Sequence, residues 1–117
     1  MTEGFRGLNV YQKAYGLVIE IYKITKAMPE EERYVLVTQI RRAVASIPLN
    51  IAEGYGKKQN MVEYKRFLMI AKGSCNEMQV LLDLCSDLGY ITRETHDALI
   101  AGYDEVAKML HGLLVKN

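Results

Sequence analysis

Residues 39 to 58 read QIRRAVASIPLNIAEGYGKK. Ile40, Ala43, Val44, Ile47 and Ile51 recur at steps of three and four, and the series reaches back to Leu36. That spacing predicts a helix with one apolar stripe, and it leaves Gln39, Arg42 and Ser46 on a different face. Pro48 falls inside the pattern, where it removes the amide that would bond Val44 and crowds that carbonyl; a kink or short break is expected there. Ser46 and Asn50 are placed to offer side-chain hydrogen bonds to backbone groups freed by it. The stretch then runs into Gly54-Tyr55-Gly56-Lys57-Lys58-Gln59-Asn60, read as a loop whose glycines suit a left-handed helix end.

The same periodicity holds on both sides of this segment. Upstream, Val10, Ala14, Leu17, Ile21 and Ile24 form one stripe of a helix over about 8 to 27. Tyr11, Tyr15, Val18 and Tyr22 form a second stripe beside it, with Gln12, Gly16, Glu20 and Lys23 left for water. Met28-Pro29-Glu30-Glu31-Glu32 reads as a stop and restart, the carboxylates suiting the positive end of a second helix that begins there. Downstream, Asn60 and Glu63 suggest a capping box. The third helix, about 61 to 88, buries Tyr64, Leu68, Ala71, Cys75, Met78, Leu82 and Cys85, flanked by Phe67, Ser74, Leu81 and Leu88. Gly89 closes it and Thr92 caps a fourth, about 93 to 115, burying Leu99, Val106, Leu110 and Leu113 beside Tyr103 and Met109. No stretch alternates as a strand would. The expectation is an all-α, antiparallel up-down-up-down four-helix bundle with a Pro-kinked second helix, one domain over 1–117.

Composition agrees. A chain of 117 residues, 50% apolar and 25% charged with two prolines, suits one compact domain able to bury a core without staples. No apolar run approaches the ~20 residues of a membrane span, and MTEGFRGLNVYQK lacks the basic-then-apolar order of a signal peptide. The expectation is a cytoplasmic protein without membrane contact. The doubled stripes carry more. One greasy flank serves the chain's own core, and the second suits burial against copies of itself, with Tyr11, Tyr15 and Tyr22 among the contacts. The competing reading is a fatter core with tyrosine hydroxyls pointing outward.

Chemistry is poorly represented. Cys75 and Cys85 would differ on one helix by about 80° and about 15 Å, which prevents shared ligation of one ion. His96 and His111 would sit about 22 Å apart and read as solvated surface residues. Ser46, Ser74 and Ser86 lie within helical patterns and belong to no G-x-S-x-G elbow. Gly54 to Lys58 lacks P-loop spacing, and Glu30 to Glu32 form a run rather than a convergent pair. No cofactor or metal is expected, and no enzyme.

Charge is polarised along the chain. Residues 33 to 72 carry eight cationic side chains against two carboxylates, a net +6, whereas residues 73 to 117 carry three against seven, a net −4. Arg41, Arg42, Lys57, Lys58, Lys65 and Arg66 could contact phosphates of RNA or DNA, with Tyr55 as a platform for an unpaired base. The rival reading is structural: Arg42, Asn50 and Glu53 hold the second helix and the subunit contacts, with Arg42 paired to Glu53 or to an acidic helix of a neighbour.

The stretch QIRRAVASIPLNIAEGYGKK, with LNVYQKAYGLVIEIYKIT at 8 to 25 and YKRFLMIAKGSCNEMQVLL at 64 to 82, resembles the proteins encoded within intervening sequences of bacterial 23S ribosomal RNA genes. Tyr11 stands where many relatives carry tryptophan and Met78 where leucine is common, swaps that keep apolar bulk. The resemblance implies an antiparallel four-helix bundle, usually a homopentamer, without known catalytic residues. More distantly, the accessory protein of diversity-generating retroelements is a similar ring that engages a reverse transcriptase and nucleic acid. By fold analogy, this implies a nucleic-acid enzyme as a further candidate partner.

Overall fold

The computed structural model describes residues 3–116. Four helices, α1 (Asn9–Lys26), α2 (Leu36–Tyr55), α3 (Met61–Asp87) and α4 (Arg93–Val115), pack into a bundle measuring 44 × 25 × 22 Å. Among the described residues there is no strand. The stripes expected from spacing meet in one core: Val10, Ala14, Leu17 and Ile21 from α1, Ile40 to Ile51 from α2, Leu68 to Cys85 from α3, and Leu99 to Leu110 from α4. Both cysteines lie in it as free thiols, and burial pushes Cys75 up to about 12 and Cys85 up to about 11. Leu88 departs from expectation: it is half exposed beyond the end of α3.

The second helix begins later than the carboxylate run suggests. Glu30–Glu32 form a single 3-10 turn, and α2 starts only at Leu36. The reason is burial. Tyr34 and Val35 face solvent, so no packed face supports a helix before Leu36 and Val37 turn inward. From there α2 runs without a break through the buried Pro48. Asn50 Nδ2 donates to the Ser46 carbonyl at 2.7 Å and to Ser46 Oγ at 3.0 Å, so local side-chain bonding forms, but at Ser46 rather than at the Val44 carbonyl that Pro48 leaves without its amide.

Gly54 and Gly56 do not act as left-handed caps. Gly54 is still helical, and Gly56 has φ −67. Gly54 is needed for closeness instead: a Cβ there would stand 3.3 Å from the Phe67 Cβ and from the Tyr64 carbonyl, so its absence lets α3 approach. Gly89, with φ 80, is the left-handed end of α3. Asn60 Oδ1 accepts from the Glu63 amide and Thr92 Oγ1 from the Thr95 amide, so both expected N-caps form. The Glu63 carboxylate does not complete the box; it turns to Arg66.

Candidate functional site

The second stripe of α1 is only partly covered, its Val18 and Tyr11 packing against the core. Tyr15 and Tyr22 are exposed and Tyr11 is half-buried, each carried by a turn of α1 whose other side feeds the core. The Phe5 and Tyr11 rings meet edge to face at 5.0 Å, and Tyr15 follows with its centroid 5.9 Å from Tyr11. With Pro48, Leu49 and Ala52 of α2 they line an apolar groove of about 310 Å³. Leu49 stands at its edge, 65% exposed. On the far side of the bundle, α3 carries Val62, Met69 and Val80 on one outward line, all well exposed, with Gly73 between the last two. A Cβ on Gly73 would meet nothing, so the line has a gap at its waist.

The basic residues divide. Arg41 is committed within the chain: its Nε donates to Thr25 Oγ1 at 2.9 Å, its guanidinium lies 4.3 Å from the centre of the Tyr22 ring, and one Nη reaches the Tyr22 carbonyl at 3.5 Å. A cation there suits the last turn of α1, whose carbonyls lack helical partners. Arg66 grips Glu63 through Nε and one Nη, both at 3.0 Å, and packs over Phe67. That pair holds the Glu63 carboxyl below its ordinary value and the guanidinium above its own. Lys58 lies 4.8 Å over the Tyr55 ring, whose face is thus occupied. Arg42, Lys57 and Lys58 are exposed and Lys65 half-buried, and none has a carboxylate within salt-bridge distance among the described residues. Arg42 does not pair with Glu53. Both lie on the outward side of α2, about 16 Å apart along its axis, too far for either side chain to span to a shared bond.

His96 overturns its reading as a surface residue. It is buried between α3 and α4, with Nε2 2.6 Å from Asp83 Oδ1 and Nδ1 2.9 Å from Asp97 Oδ1. A carboxylate only accepts, so the protonated ring, which donates from both nitrogens, is the form that satisfies both bonds. The hydrogen bonds to Asp83 and then Asp97 raise its pKa above the ordinary histidine value. Sequence spacing misses this because Asp83 lies thirteen positions away on another helix. Tyr90 was likewise missed: its hydroxyl donates to Glu32 Oε2 at 2.6 Å, tying the α3–α4 connection to the turn before α2 and pushing the phenol up to about 12. Among the described residues no group of His, Cys, Asp and Glu could hold a metal ion, and no helix is long and apolar enough to cross a membrane.

The helices that build these surfaces match a known family model, that of the 23S rRNA-intervening sequence protein, over residues 6–112. The chain belongs to the 23S rRNA-intervening sequence protein family. A solved relative within the S23 ribosomal protein family, from Bacteroides thetaiotaomicron VPI-5482, superposes with a TM-score of 0.83 at 28% identity, covering 92% of this chain and 99% of that one. That relative is described as a protein with unknown function. No curated protein matches the sequence. The family match takes in α1, α2, α3 and most of α4, so the groove apart from Phe5, the α3 line and the basic turn all fall within it.

Proposed function

We propose that this chain is a non-enzymatic, cytoplasmic building block that assembles with copies of itself through apolar surface the bundle leaves uncovered. The observation that carries the reading is the pairing of an aromatic-lined groove between α1 and α2 with an exposed apolar line on α3. Isolated soluble domains seldom leave two such surfaces to water, because each exposed apolar area costs about 25 cal/mol per Å². Sedimentation velocity at micromolar concentration tests it. The expected species is a multiple of the 13.3 kDa chain, five copies being the number that the family resemblance suggests. A well-folded monomer at that concentration overturns the reading.

A second reading, nucleic-acid contact, draws on Arg42, Lys57, Lys58 and Lys65, whose cations find no carboxylate in the described chain. Lys57 and Lys58 lie together in the α2–α3 turn, where a polyanion has unobstructed access. Binding of a labelled RNA should weaken steeply with salt, since each neutralised phosphate releases counterions. The Lys57→Glu/Lys58→Glu variant should bind more weakly still. Binding insensitive to salt and to those substitutions overturns this reading and leaves a purely structural scaffold.

A further inference from the structure

Charge that is polarised along the sequence becomes sorted by height in the fold. Side-chain contacts from α3 to α4 join Lys72 to His111 at 3.2 Å, Gln79 to Asp104 at 2.9 Å, and Asp83 to His96 at 2.6 Å. They climb α3 as they descend α4, so the start of α3 lies level with the end of α4. From Lys57 to Lys72 and again from Lys108 to Lys116, seven lysines and arginines stand against one carboxylate, Glu63, which is bonded to Arg66. From Gly73 to Glu105, seven carboxylates stand against one such cation, Arg93. The border falls between the Lys72–His111 and Gln79–Asp104 contacts, two turns or about 10 Å apart.

Helix dipoles do not account for this sorting. A cation is favoured in the last turn of a helix, yet the last turn of α3 carries none and ends at Asp87, while Lys65, Arg66 and Lys72 crowd its first half. There α3 and α4 enclose a cleft of about 420 Å³, walled by Lys65, Lys72 and Asn76 over Met69 and Leu114. Lys65 and Lys72 lie seven residues apart on one side of α3, about 10 Å along its axis. Lys108 is exposed one turn before His111. None of these three lysines has a carboxylate within salt-bridge distance among the described residues. An ammonium only donates, so Lys72 spends one N–H on His111 Nδ1 and keeps the others for a ligand.

We infer that this cleft and the adjoining α2–α3 turn form one track for the phosphate backbone of a nucleic acid, gripped by Lys65, Lys72 and Lys108 with Asn76 as a neutral donor. The inference rests on the nucleic-acid reading above and adds to it Lys72, Asn76, Lys108 and the place of His111 beside them. It also gives the track a direction. The strand crosses the basic end of the bundle, because the carboxylates beyond Gln79 repel it. A nucleic acid carries a charge on every residue and an acidic protein surface on only some, so a run of unpaired lysines suits the former. Phosphate contacts hold position without reading bases, so binding is independent of sequence.

Fluorescence anisotropy with a labelled RNA, measured over a range of salt, tests the track. Lys65→Gln/Lys72→Gln should bind several-fold more weakly than wild type and flatten the slope of log K against log salt by about 2, one for each lost phosphate contact, and Lys108→Gln by about 1. A second RNA of unrelated sequence should respond alike. Lys26→Gln removes a cation from the last turn of α1, which leads to the Glu30–Glu32 turn that Tyr90 ties to the acidic end, and should keep wild-type affinity and slope. Each variant should melt as wild type does. On adding RNA, the ring signals of His111 should move and those of His96, held by Asp83 and Asp97, should stay. If wild type binds no RNA, the nucleic-acid reading itself fails. If wild type binds with steep salt dependence while the cleft variants keep its affinity and slope and His111 stays still, only this placement fails. Displacement of the RNA by poly-glutamate at equal charge would also overturn it, since the cleft would then take an acidic protein.

Discussion

Asp83 holds Nε2 of His96 at 2.6 Å across the seam between α3 and α4, while Asp97 holds the other ring nitrogen at 2.9 Å. When protonated, the ring is a buried imidazolium shared by two helices, with both carboxylates reaching to solvent and Arg93 the cation opposing it. Because the folded-state pKa is raised, the stabilisation is fully present below the unfolded histidine value of about 6.5 and is lost as pH rises through the higher folded value. The melting-temperature difference between wild type and His96→Gln should therefore be largest near pH 5.5 and shrink above neutrality. The His96 ring resonances should titrate above an ordinary histidine. A difference that grows with pH would refute the arrangement.

The Tyr103 hydroxyl is buried without any hydrogen-bond partner, and burial drives its phenol far above the ordinary range. Its ring fills the core while its oxygen loses water for nothing in return. Tyr103→Phe should be neutral or stabilising by up to about 1 kcal/mol in urea unfolding, whereas Tyr103→Ala should cost about 3–5 kcal/mol through the cavity it opens.

Glycines inside the helices should split by what surrounds them. Gly16→Ala on the open side of α1 should stabilise by about 0.5–1 kcal/mol, the ordinary helix-propensity gain. Gly54→Ala should destabilise by about 1–3 kcal/mol, because its new methyl presses on the Tyr64 carbonyl and Phe67. Gly102→Ala meets only the Leu17 side chain, its movable Cδ2 end nearest at 3.0 Å, and should fall between the two. Chemical denaturation of the three variants checks the order.

Arg41 and Lys57 should behave oppositely. Arg41→Ala removes the tie from α2 to Thr25 and to the last turn of α1 and should cost about 1–2 kcal/mol. Lys57→Ala removes an exposed side chain and should change stability by less than about 0.5 kcal/mol. Any loss of RNA binding in Arg41→Ala must therefore be corrected for folding before it is credited to phosphate contact.

Cys75 and Cys85, buried with raised thiol pKa values, should resist alkylation at pH 8 until the bundle opens. The labelling rate in increasing urea should follow global unfolding, and fast labelling in native buffer would contradict the packing.

The stripes of α1, α3 and α4, the caps at Asn60 and Thr92, and the turn at Gly89 were legible in the sequence because each is set by neighbours within a turn or two. The surplus apolar surface was legible only on α1, at Tyr15 and Tyr22; on α3 the flanking Ser74 and Leu81 turn into the same core, and the exposed line of Val62, Met69 and Val80 is a different one that spacing did not single out. Tertiary structure alone decided which charges are spoken for. Arg41 looked as available as Arg42 until α1 supplied Thr25 and Tyr22, and His96 looked solvated until α3 supplied Asp83. It also decided where α2 begins, since Glu30 to Glu32 have good helix-start chemistry but no face to bury. Spacing along one chain reports which side of a helix is greasy; the desolvation and pairing of a charge depend on atoms far away in sequence, brought near only when the helices pack.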